Sequence, residues 1–147
     1  MGVDAWKLAR ERGNIEGNID AHDLERIDDL LAPGPARIAW RLSGVTDTEG
    51  RPALELELTG EVLLTCQRCL GDLTWPVRQR GAILLAASEG ELEALDARTD
   101  AEVVLAVEPV DPLELVEDEL LLALPFAPRH AADACAAPAD PITTYRR

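Results

Sequence analysis

Lysine is almost absent from this sequence: Lys7 stands alone among 147 residues, and 14 basic residues face 28 acidic ones, giving a formal net charge of −14. Broad nucleic-acid binding needs clustered Lys and Arg to displace counterions, and this composition argues against it. Aromatics make up only 3% of the chain, so a core must be built from Leu, Val, Ile and Ala. No apolar run reaches the roughly 18 residues of a membrane span. The opening stretch MGVDAWKLARERG interleaves charges and lacks the apolar centre of a secretory signal, which leads us to expect a cytoplasmic protein. Three cysteines, an odd number, do not suit a secreted disulfide framework. The two serines, Ser43 and Ser88, lie in no nucleophile motif, and no Gly-rich phosphate loop occurs. These absences leave no convincing active site, and we expect a protein that is not an enzyme.

What is present suits one domain over 1–147, with nearly half of the residues apolar. The acidity is uneven. From Ile83 onward there are 14 Asp or Glu against 4 Arg, a balance of −10. A field of that sign attracts basic partners and repels phosphate.

Periodicity predicts the fold. Ala5 to Arg12 suits a first helix, with Trp6 and Leu8 as anchors. Ile15, Gly17 and Ile19 alternate as in a strand. Asp20 or Asp23 then caps a helix carrying Leu24, Ile27 and Leu31, ended by Pro33-Gly34-Pro35. Alternation at Ile38, Trp40 and Leu42, and at Leu54, Leu56 and Leu58, predicts two strands about a turn at Asp47 to Gly50. Gly60 marks a bulge or bend, Val62, Leu64 and Cys66 share a face, and Trp75 to Leu85 returns. The acidic stretch near 89–102 reads as an exposed, mobile loop, and Val103 to Val107 as a further strand. Asp111, Pro112 and Glu114 form a helix-start signature, with Leu113, Val116, Leu120 and Leu124 as its apolar face. From about 131 the chain is Ala/Pro-rich, a loose tail. The expected architecture is α+β, an antiparallel sheet covered by short helices.

One constellation carries chemistry. Cys66 and Cys69 are separated by two residues, and His130 and Cys135 follow far later. A tight turn aims both sulfurs of such a pair at one tetrahedral ion, and a His-x4-Cys pair completes a structural zinc set. Two other readings stay open. A redox pair needs its first cysteine at a helix N-terminus, whereas here a strand pattern precedes Cys66. The plainest reading is a pair of reduced cysteines bracing a turn, with Cys66 partly in the core. The carboxylates Glu114, Glu117, Asp118 and Glu119 read as a solvated helix face, and His22 as a surface residue without a partner.

The run Cys66-Gln67-Arg68-Cys69-Leu70 after a Leu/Val-rich strand, together with DPLELVEDELLLALPFAPRH from Asp111 to His130, resembles the YceD family of large ribosomal RNA subunit accumulation proteins. DAWKLARERG and the Arg37-to-Trp40 strand resemble its proteobacterial branch, so the likeness spans roughly Asp4 to Cys135. The resemblance implies a role in accumulation or processing of large-subunit ribosomal RNA without established catalysis. It also implies paired cysteines with further Cys or His near the C-terminus. The ending Asp140 to Arg147 departs from the family's Asn-Pro-Phe-type tail.

Two modes of action follow. An acidic factor can engage a basic large-subunit ribosomal protein or a pre-ribosomal particle. Alternatively Arg68, Arg78 and Arg80 contact ribosomal RNA directly around the cysteine turn. The sequence does not specify an oligomeric state.

Overall fold

Two long strands dominate the computed structural model, which describes residues 2–130. β3 (Pro52–Thr65) and β4 (Asp72–Ala86) pair antiparallel along their whole length, from Ala53↔Leu84 to Thr65↔Asp72. β2 (Arg37–Thr46) pairs antiparallel on the other side of β3, and β1 (Asn14–Asp20) forms the edge. The short β5 (Glu102–Leu105) runs parallel to β4, so the sheet has the order β1-β2-β3-β4-β5 and is mixed rather than wholly antiparallel. The parallel pairing follows from the connection. A helix, α3 (Glu89–Asp96), carries the chain back before β5 begins, as a crossover must. The fold class is α+β, one domain.

Alternation fixes which face is which. Leu54, Leu56, Leu58, Val62 and Leu64 of β3 are buried and stand opposite Leu42 on β2 and Val77 and Ile83 on β4, within one core cluster. α1 (Ala5–Arg10), α2 (Glu25–Asp28) and α4 (Pro112–Ala123) lie on this side: α1 against β2 and β3, α4 against β3 and β4, and α2 against α4. The opposite face is polar. Arg41 there meets Glu16, and Arg80 meets Glu57.

Several expectations change on contact with the structure. The stretch near 89–102, expected as a loop, contains α3. The Ser88 hydroxyl accepts from the Glu91 N–H at 3.1 Å, and the Glu91 carboxylate accepts from the Ala87 N–H at 2.7 Å. Acidic residues in a first helical turn complement the dipole, and Leu95 is buried, so charge there supports a helix. No bulge occurs at Gly60, because its pairing with both Ile38 and Val77 is in register. Glycine sits there because a Cβ would collide with the carbonyl oxygen of Arg37. In α1 it is Ala5 and Ala9 that are buried, with Trp6 and Leu8 half-buried against the core. After Asp20 caps a single 3-10 turn, Ala21–Asp23, only four residues form α2, with Ile27 as its buried anchor.

The cap and the proline of the helix-start signature hold, since the Asp111 carboxylate accepts from the Leu113 N–H at 3.0 Å and Pro112 opens α4, with Glu114 in the first turn. The apolar face is rotated from the expected one. Leu115, Val116, Glu119 and Leu120 are buried, while Leu113 is 38% exposed. α4 ends at Ala123, and Leu124 is already extended, as a residue preceding proline prefers.

Candidate metal centre

β3 delivers Cys66 to the end of the core face. Val62 and Leu64 point into the core in alternation, and Cys66 continues their pattern as a completely buried side chain. The chain then turns tightly. The Cys66 N–H donates to the Gly71 carbonyl at 2.9 Å, and the Leu70 N–H donates to the Cys66 carbonyl at 2.8 Å. Leu70 adopts a φ of 62°, left-handed backbone that side chains other than Gly rarely take. That turn aims the N–H groups of Arg68 and Cys69 at the Cys66 sulfur, at 3.4 and 3.5 Å.

The second half of the site arrives from α4. Pro125 and Pro128 bound an exit strap, and the Pro128 carbonyl accepts from the Gln67 N–H at 2.8 Å. This places His130 with Nδ1 3.5 Å from the Cys69 sulfur and Nε2 3.0 Å from the Asp72 carbonyl oxygen. A carbonyl can only accept, so Nε2 carries the hydrogen and Nδ1 keeps a lone pair toward the thiols. A ligating histidine is usually fixed through its other nitrogen in this way.

Ligand atoms of Cys66, Cys69 and His130 all lie within 4.8 Å of one another. Two sulfurs on one tetrahedral zinc, each at about 2.3 Å, stand ~3.8 Å apart, so the spread is close to what one ion imposes. Burial alone pushes the Cys66 thiol up. Backbone N–H donation from Cys69, His130 and Arg68, with the Cys69 side chain, outweighs it and brings the thiol down to about 5. A thiolate so stabilised is a ready metal ligand. The redox reading lacks its helix, because a turn follows Cys66, and the buried sulfur offers no open approach. The remaining expected ligand, Cys135, lies outside the described residues.

The three arginines do not gather around the turn. Arg68 lies on it and is exposed. Arg78 and Arg80 project from the polar face of β4, opposite Thr59 and Glu57. Six residues of strand separate Asp72 from Arg78, ~20 Å of chain. Arg80 is held by Glu57 at 2.5 Å.

Other polar residues acquire partners that spacing did not announce. His22 Nδ1 donates to the Asp28 carboxylate at 2.7 Å and Nε2 to the Gly34 carbonyl at 3.1 Å, and the Asp28 contact raises its pKa. Arg26 binds Glu117 and Asp118 across α2 and α4. Glu119, expected in solvent, is buried and accepts from the Gln79 amide at 2.8 Å. One signal for this existed: Gln79 and Gly81 interrupt the core-facing positions of β4 between Val77 and Ile83.

Residues 54–143 match the family described as large ribosomal RNA subunit accumulation protein YceD. The chain is 25% identical over 135 residues to the protein of that name from Haemophilus influenzae, covering 92% of this chain and 78% of the relative. No solved structure matches. The matched region includes the cysteine turn, β4, α4 and the histidine strap, and on that match the chain belongs to the YceD family.

Proposed function

We propose that this protein is a non-enzymatic assembly factor, promoting accumulation or processing of large-subunit ribosomal RNA through a basic large-subunit ribosomal protein or a pre-ribosomal particle. The family name supplies the link to the large subunit. The observation that carries the mode of action is how the arginines are used. Arg26, Arg41, Arg51, Arg80 and Arg98 each face a carboxylate of this chain within 4.0 Å. Basic groups so occupied form no phosphate-binding track, whereas the −14 chain attracts cationic protein. No helix among the described residues is long and apolar enough to cross a membrane. Ribosome assembly is cytoplasmic work in bacteria, and we place the protein there.

Within this reading Cys66, Cys69 and His130 hold a structural zinc, with Cys135 as fourth ligand. The ion ties the β3–β4 turn to the exit of α4 and supplies rigidity rather than chemistry.

A salt titration tests the mode of action. Binding to large-subunit proteins freed of RNA should weaken steeply as salt rises, since exposed charges are screened beyond ~8–10 Å. Tight binding to protein-free ribosomal RNA at physiological salt, with no affinity for the basic proteins, would overturn it. Arg68, Arg78 and Arg80 would then be the first residues to mutate.

A further inference from the structure

The chain's single phenylalanine, Phe126, is fully exposed, and Leu122, four residues earlier in the last turn of α4, is 71% exposed. Neither sits on a loose end. The Trp75 indole N–H donates to the Ala123 carbonyl at 3.0 Å, and the Pro128 carbonyl accepts from the Gln67 N–H. Phe126 therefore rides a strap bounded by two prolines and tied at both ends to the cysteine turn and β4. A rigid aromatic held out in water forgoes burial in its own core and arrives pre-organised for burial elsewhere.

The surroundings specify what would bury it. Glu114 is exposed on α4, Glu117 and Asp118 turn from α4 toward Arg26, and the adjoining α2 segment adds Glu25, Asp28 and Asp29. Arg26 is the cation of α2, and it is bound to Glu117 and Asp118. The last turn of α4 has no basic residue, so the negative end of its dipole faces the strap uncompensated by its own helix. Arg68 and Arg129 stand where the far end of the strap meets the cysteine turn. Leu122 lies one helical turn past Asp118 and two past Glu114, so this exposed apolar exit adjoins an acidic helix surface and matches a segment with an apolar side chain flanked by Lys and Arg. Phosphate backbone is repelled by the same carboxylates, although a base could stack on the ring.

We infer that Leu122, Phe126 and the acidic face of α4 and α2 form a docking surface for a basic amphipathic segment of a large-subunit ribosomal protein. This rests on the assembly-factor reading above and deepens it by naming the surface.

The test uses the full chain, immobilised and offered large-subunit ribosomal proteins stripped of RNA, with protein-free 23S ribosomal RNA in parallel. The main retained protein is identified by mass spectrometry and its affinity measured by calorimetry. Leu122→Ser/Phe126→Ser should weaken it by about tenfold or more, as loss of a hot-spot anchor does, with circular dichroism and melting unchanged. Glu25→Gln/Glu114→Gln should weaken it at low salt only. Val107→Ser removes another exposed apolar side chain and should stay within about twofold of the parent, as a contact outside the hot spot does. Retention of ribosomal protein with affinity indifferent to Leu122 and Phe126 overturns the surface and leaves the assembly reading standing. Retention of RNA alone overturns both.

Discussion

The sulfur of Cys69 lies 3.5 Å from Nδ1 of His130, although 61 residues separate them in the chain. Between them run all of β4, α3, β5 and α4. The contact closes a ring through nearly half of the domain, and two hydrogen bonds hold it, from the Gln67 N–H to the Pro128 carbonyl and from His130 Nε2 to the Asp72 carbonyl. A long closed loop is where a cross-link removes the most freedom from the unfolded chain.

Protein purified without chelator should therefore contain near-stoichiometric zinc by elemental analysis. Cys69→Ser should lose it, because one of three gathered donors disappears. Chelation should lower the melting temperature by at least about 3 °C, the shift that ~1 kcal/mol produces in a domain of this size. Metal-free protein with an unchanged melting temperature would leave the cysteines as a reduced pair bracing the turn.

The long strands and the cysteine pair were legible because both are written in local spacing, whereas the parallel pairing of β5 was not. Alternation along Leu54, Leu56 and Leu58 sets one buried face, and the two-residue gap between Cys66 and Cys69 sets the turn. What escaped was decided by pairing across the fold. Glu119 looks like any solvated helix carboxylate until Gln79 of β4 stands against it. Arg78 and Arg80 follow the turn closely in sequence, yet strand geometry carries them away to the other face. The acidic 89–102 stretch misled because charge was weighed as repulsion, when Ser88 and Glu91 turn it into a helix start.

The rotated face of α4 makes a paired prediction. Leu120 is completely buried, so Leu120→Ala should cost about 2–5 kcal/mol by urea denaturation. Leu113, on the same helix and similar in chemistry, should lose no more than about half a kilocalorie on the same change. Equal losses at both positions would mean that α4 packs by a different face.

Gly81 and Glu119 should prove coupled. A Cβ on Gly81 would stand 2.6 Å from the Glu119 carboxylate, which is itself buried and accepts from Gln79. Gly81→Ala should cost about 1–3 kcal/mol by overpacking. Glu119→Ala should cost a similar amount, because the Gln79 amide loses its acceptor. Together they should cost less than the sum by at least ~0.5 kcal/mol, since the first change no longer meets the side chain that opposed it. Strict additivity would mean that the carboxylate swings clear of Gly81 at no cost.

The last prediction concerns pH. Burial, with Asp118 and Glu119 close by, pushes Glu102 up to about 7 from an ordinary 4.5, with Arg26 opposing. The folded chain thus keeps a proton that the unfolded chain releases near 4.5. Across that window folding takes up a proton, so this group's contribution to stability is full below 4.5, falls as pH rises, and is lost above about 7. Glu102→Gln carries no titrating proton and can still donate to Asp118. The variant should match the parent near pH 4.5 and exceed it at pH 8 by on the order of 1 kcal/mol, less than the full shift implies because the carboxyl keeps contact with water. Urea denaturation of both proteins from pH 4.5 to 8 measures the difference directly, and other titrating groups, His22 among them, cancel from it. A difference that stayed constant with pH would show that Glu102 ionises as an ordinary surface carboxylate and that Asp118 and Glu119 exert no hold on it.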